Sequence, residues 1–93
     1  MRFRHKSASL MVTVDKPDQI EIYRLASRRP GNGHAGELLR SVVAMFPGKW
    51  ISLTVGPYGD KWMDENELRA FYGRCGFVPD QRPEYPTHMW IYP

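Results

Sequence analysis

The chain holds one cysteine, Cys75, which excludes an intramolecular disulfide and leaves no thiolate pair for a zinc site. No apolar run is long enough for a membrane-spanning helix. The opening Met1-Arg2-Phe3-Arg4-His5-Lys6 lacks the apolar stretch of a signal peptide, so a reducing cytoplasm is the expected compartment. Repeats and low-complexity tracts are missing as well, and 93 residues leave room for one core, so residues 1–93 are expected to form a single domain. Excess charge is small: +3 at neutral pH, with an isoelectric point near 9.2. That bias suits an anionic ligand and is too weak by itself to indicate nucleic acid; Arg2, Arg4 and Lys6 read as a solvated tail. His5 and His88 have no neighbours at metal-ligand spacing, and no metal is expected.

What is present is a succession of short apolar patterns. Leu10–Val14 and Ile20–Leu25 are rich in strand formers, with the turn-forming Asp15-Lys16-Pro17-Asp18 between them, and predict an antiparallel hairpin. The second run has apolar residues on both of its faces, which predicts a central strand. From Ala35 the period changes to that of a helix, with Leu38, Leu39, Val42, Val43 and Phe46 on one stripe and Pro47-Gly48 as its end. Trp50–Val55 alternates as a third strand. A second helix follows Asp64, which forms a capping-box pattern with Glu67; Leu68, Phe71, Tyr72 and Cys75 make its apolar face. Gly76 stands where a left-handed residue ends a helix, and Phe77 is placed to fold back on it. Residues 81–87 are a proline-broken loop, and residues 88–92 a fourth strand. The order β-β-α-β-α-β predicts an α/β layer fold with a mixed sheet and two helices.

Between the second strand and the first helix lies Arg28-Arg29-Pro30-Gly31-Asn32-Gly33-His34-Ala35-Gly36. A glycine-rich loop entering a helix offers backbone N–H groups and the positive end of the helix dipole to a phosphate, and glycine lets an anion approach those amides. Gly31-x-Gly33-x-x-Gly36 also satisfies the dinucleotide fingerprint, but the next strand ends in Val55-Gly56-Pro57 without the carboxylate that would hold a ribose. No Lys-Ser/Thr follows the glycines, which excludes a P-loop. A glycine turn without ligand is the competing reading.

Two segments together carry a family resemblance. Gly31-Asn32-Gly33-His34-Ala35-Gly36-Glu37-Leu38-Leu39 resembles the pyrophosphate loop and Leu-Leu pair of the GNAT acetyltransferase superfamily, and Tyr72-Gly73-Arg74-Cys75-Gly76-Phe77 resembles the Tyr-x-x-x-Gly-Phe ending of its fourth helix. The resemblance spans about Leu10 to Tyr92. It departs from the family at Pro30, which takes the usual Arg/Gln position, and at the front, where the family's first strand and first two helices are missing.

The resemblance implies an N-acetyltransferase that binds acetyl-CoA or another acyl-CoA and passes the acetyl group to an amine. It implies strands that splay after Leu25-Ala26-Ser27, where the backbone pairs with the pantetheine arm, and a pyrophosphate held by Gly31, Asn32, Gly33, His34 and Ala35 with Arg28 and Arg29 nearby. It implies Tyr72 as the acid that protonates the departing thiolate and Glu21, on the central strand, as the base. Beside these stand plainer readings: Tyr72 as one more core residue, Glu21 as a surface glutamate, His34 as the start of the helix, and the whole chain as a non-catalytic acyl-CoA-binding or interaction module. The short length and missing front also lead to an expectation of self-association as a homodimer.

Overall fold

The computed structural model describes residues 1–28, 33–55 and 64–93. Eight elements follow one another: β1 (Arg2–His5), β2 (Ala8–Lys16), β3 (Gln19–Ser27), α1 (His34–Ala44), β4 (Trp50–Thr54), α2 (Glu65–Arg74), β5 (Val78–Pro79) and β6 (His88–Ile91). The strands form one mixed sheet in the order β1-β2-β3-β4-β6-β5, with β3 and β4 as its parallel pair and α1 as the crossover between them. The α/β layer fold with two helices is therefore present, and β3 is internal to the sheet as its two apolar faces predict.

One side of the sheet carries the core. Leu10 and Val12 of β2, Ile20 and Ile22 of β3, and Ile51 and Leu53 of β4 are buried together with Leu38, Leu39 and Val42 of α1 and Tyr72 and Cys75 on α2 and its cap. The alternate strand positions, Thr13, Glu21, Ser52 and Trp90, share a row on the opposite face.

The ends of α2 follow the expected chemistry. The Asp64 carboxylate accepts from the Glu67 N–H at 2.8 Å, and the Glu67 carboxylate accepts from the Asp64 N–H at 3.4 Å. Gly76 takes φ +100°, and the Phe77 N–H then donates to the Tyr72 carbonyl at 3.0 Å, which brings Phe77 into the core.

Two strands are additional to the sequence expectation. Arg2–His5, read as a solvated tail, is β1, paired antiparallel to β2 from Arg2↔Met11 to His5↔Ala8. Its charged residues alternate with Phe3, which packs on the core, and His5, whose Nε2 lies 3.5 Å from a Glu37 carboxylate oxygen on α1. The two-residue β5 pairs with β6. Its neighbour Asp80 accepts both Nε–H and Nη2–H of Arg82 at 3.0 and 2.8 Å, and the Trp90 indole N–H at 2.8 Å, fastening the loop that follows to β6.

Arg82, by its hydrogen bonds to the Asp80 carboxylate, holds that carboxyl well below the usual carboxylate range. Because the folded-state value is the depressed one, this contribution to stability is complete above the unfolded value of about 4 and is lost as pH falls through the folded value. The wild type is therefore expected to be more stable than Asp80→Asn at neutral pH. The gap between their urea midpoints should narrow as pH falls below about 4. A gap that stays constant from neutral pH into strong acid would show that the ionised carboxylate does not fasten this loop.

Candidate functional site

The parallel pair β3–β4 is short. It runs from Gln19↔Trp50 to Ile22↔Leu53, after which β3 continues to Ser27 paired with β2 alone. Beyond β4, the Val55 N–H turns to the Thr87 carbonyl at 2.7 Å. The two strands thus separate from Tyr23 onward, earlier than the expected point after Leu25-Ala26-Ser27. This flank of β3 has no strand partner among the described residues. Such a flank accepts an extended, amide-bearing ligand as it would another strand.

A bulge shapes the same segment. Between the pairs Ser9↔Ala26 and Met11↔Tyr23, Leu10 alone opposes Arg24 and Leu25, and Arg24 sits at φ +56°. The extra residue shifts the alternation, so Leu25 packs on the core and Arg24 stays exposed. A left-handed arginine costs about 1–2 kcal/mol. Strict alternation from Ile20 and Ile22 would have sent Arg24 into the core.

Helix α1 begins at His34 after Gly33, whose φ of +80° is the left-handed conformation that favours glycine. No side chain among the described residues caps this end, where the amides of the first turn stand at the positive end of the dipole. His34 opens the helix, and its Nδ1 lies 2.7 Å from Ser7 Oγ and accepts from the Ser7 N–H at 3.4 Å. In the contact with the Ser7 N–H, Nδ1 is the acceptor. Ser7 Oγ also lies 3.1 Å from Ser27 Oγ, so the β1–β2 turn, the end of β3 and the head of α1 are joined at one corner.

Gly36 brings the second helix in. A Cβ at this position would lie 3.5 Å from the Phe71 ring and 3.3 Å from the Arg40 guanidinium. Tyr72, next to Phe71, is buried with its ring 5.3 Å from that of Phe71 and 6.2 Å from that of Phe77, in the same cluster as Val55. Burial pushes the Cys75 thiol up, against the pull of Arg40 and Arg74, so it is an inert core residue rather than a nucleophile.

The remaining site candidates divide as follows. Glu21 lies half-buried on the face opposite the helices, between Thr13 and Ser52, one residue before the last β3–β4 pair. It has no ion pair among the described residues. Ala26 and Arg28 are exposed and Ala35 half-buried. Arg29, Gly31 and Asn32 lie outside the described residues.

His88 is the residue that sequence reasoning passed over. It pairs with Thr54, the last residue of β4, and its Nδ1 is buried without a partner among the described residues. It stands two residues nearer the separated strands than Glu21. No local signal could have shown this, because the β4–β6 pairing joins segments far apart in the chain.

No protein-family model matches the chain, and no curated protein matches it in sequence. Its fold is similar to that in the crystal structure of the anti-CRISPR protein AcrVA5. The TM-score is 0.82 at 20% identity, over 98% of this chain and 96% of that one. At that identity the likeness shows the fold.

Proposed function

We propose that the protein is a small GNAT-like N-acetyltransferase that binds acetyl-CoA between β3 and β4. The observation that carries this reading is the parting of the parallel strands beyond Ile22↔Leu53 beside the uncapped head of α1 with its left-handed Gly33. The amides of the pantetheine arm would pair with the flank of β3 that has no strand partner among the described residues, and the pyrophosphate would take the first-turn amides of α1, with Arg28 near it. The acceptor amine would attack the thioester carbonyl: the C–N bond forms, the C–S bond breaks, and the departing thiolate takes its proton from the Tyr72 hydroxyl. Glu21, or a water it orients, would take the proton released by the amine. Holding the two reactants in line supplies most of the acceleration.

The cytoplasm is the compartment proposed, where acyl-CoA is available; in keeping with it, no helix among the described residues is long and apolar enough to cross a membrane. The description of AcrVA5 as an anti-CRISPR protein offers a setting in which acyl transfer would disable a component of a CRISPR system.

Calorimetric titration with acetyl-CoA and with CoA tests the proposal. Saturable binding of one molecule per chain is expected. No binding of either would make Gly33 a purely structural turn and leave an interaction module of the same shape.

A further inference from the structure

A second concave feature lies on the helix-free side of the corner where β1, the start of β2 and the end of β3 meet. It is a cavity of about 330 Å³ lined by Arg2, Arg4, Lys6 and Arg28, with Ser7 and Ser27 also in its lining and no carboxylate among the described lining residues. None of its four cations makes an ion pair among the described residues. Like charges gathered in one concavity repel one another, and nothing in the fold of the described residues neutralises them.

Lys6 adds an independent observation. It occupies the β1–β2 turn at φ +55°, a conformation that glycine or asparagine adopts at little cost. A lysine here carries backbone strain, and Lys6 is one of the residues that line the cavity. Arginine and lysine are the side chains that recognise a phosphate by charge-assisted hydrogen bonds, and the volume suits a phosphate with an attached sugar.

We infer that this cavity binds a phosphate monoester distinct from the pyrophosphate assigned to the head of α1; the inference rests on the acyl-CoA reading. The His34–Ser7–Ser27 hydrogen bonds tie residues of the cavity lining to the head of α1. An acyl-CoA carries such a group as its ribose 3′-phosphate, and a phosphorylated acceptor is the other source.

Calorimetry with acetyl-CoA and acetyl-3′-dephospho-CoA, on the wild type, Lys6→Asn and Arg4→Gln, separates the sources. Asparagine keeps the left-handed turn, so the fold should be unchanged in circular dichroism. If the CoA phosphate is the source, the wild type prefers the 3′-phosphorylated ligand by roughly tenfold or more, and each variant loses most of that preference. If the acceptor supplies it, the two ligands bind alike. Inorganic phosphate, added to the acetyl-CoA complex, then shifts the backbone amide NMR signals of Arg4, Lys6 and Arg28 in the wild type but not in the variants. Neither a ligand preference nor phosphate-induced shifts would overturn the inference while leaving acetyl-CoA binding standing. If acetyl-CoA fails to bind at all, the function proposal falls, and phosphate titration of the free protein still decides whether the cavity takes phosphate.

Discussion

Gly33→Asp is expected to abolish measurable acetyl-CoA binding while the protein remains folded. Gly33 is the N-cap of α1 at φ +80° and ψ 0°, and its carbonyl accepts from the Glu37 N–H at 3.0 Å. Among the described residues beyond its chain neighbours, a Cβ there meets nothing nearer than a Glu37 carboxylate oxygen at 4.0 Å, so space is not the obstacle. The cost to the fold is conformational, about 1–2 kcal/mol for a left-handed non-glycine residue, with repulsion from Glu37 added. A domain of this size is stable by roughly 5–14 kcal/mol, so most molecules stay folded. The cost to binding is larger, because a carboxylate would stand where the pyrophosphate is to meet the helix amides. Gly33→Asn is the control: it bears the same backbone burden without the charge and should retain much of the affinity. Titration of both variants, with urea unfolding alongside, separates charge from fold. Unchanged affinity in Gly33→Asp would remove the head of α1 from the binding site.

Tyr72→Phe is expected to lower turnover by about 10²–10⁴-fold with little change in acetyl-CoA affinity, the size typical of losing a general acid. The substitution keeps the ring, which packs against Phe71 and Phe77, and removes only the hydroxyl. Tyr72 is 9% exposed, so a core role and a catalytic role are compatible in one residue, its ring serving the first and its hydroxyl the second. The measurement is single-turnover acetyl transfer to a panel of amines, with affinity determined separately. Full turnover in the variant would confine Tyr72 to packing. The same assay identifies the base. Loss of the pH dependence in Glu21→Gln assigns the proton to Glu21; loss in His88→Gln assigns it to the imidazole beside Thr54.

How much of this was legible beforehand follows from the range of the forces involved. The second helix could be read to within a residue, because the Asp64–Glu67 cap and the Gly76 terminator act over three or four residues and involve no distant partner. The Leu38, Leu39 and Val42 stripe of α1 was equally plain, since helical periodicity records which face will be buried before it says against what. The loop-to-helix junction at Gly33 and the apolar setting of Tyr72 were legible for the same reason.

What the chain order left undecided was everything set by pairing at a distance. Alternation in Arg2–His5 is too short to distinguish a strand from a tail until β2 offers its edge and His5 finds Glu37 on α1. The bulge at Arg24 is invisible locally, because a left-handed arginine costs energy alone and persists only where Leu10 and Leu25 are packed on either side of it. The parting of β3 from β4, the placing of His88 at that opening, and the gathering of Lys6 with Arg28 each depend on strands brought together from far along the chain. By itself the sequence determined which residues would be helical, which faces would be apolar and where a phosphate-binding loop could form. Only the tertiary structure decided which charged and titratable groups share a surface, because burial of the common apolar face sets the register and the polar residues are carried to wherever that register puts them.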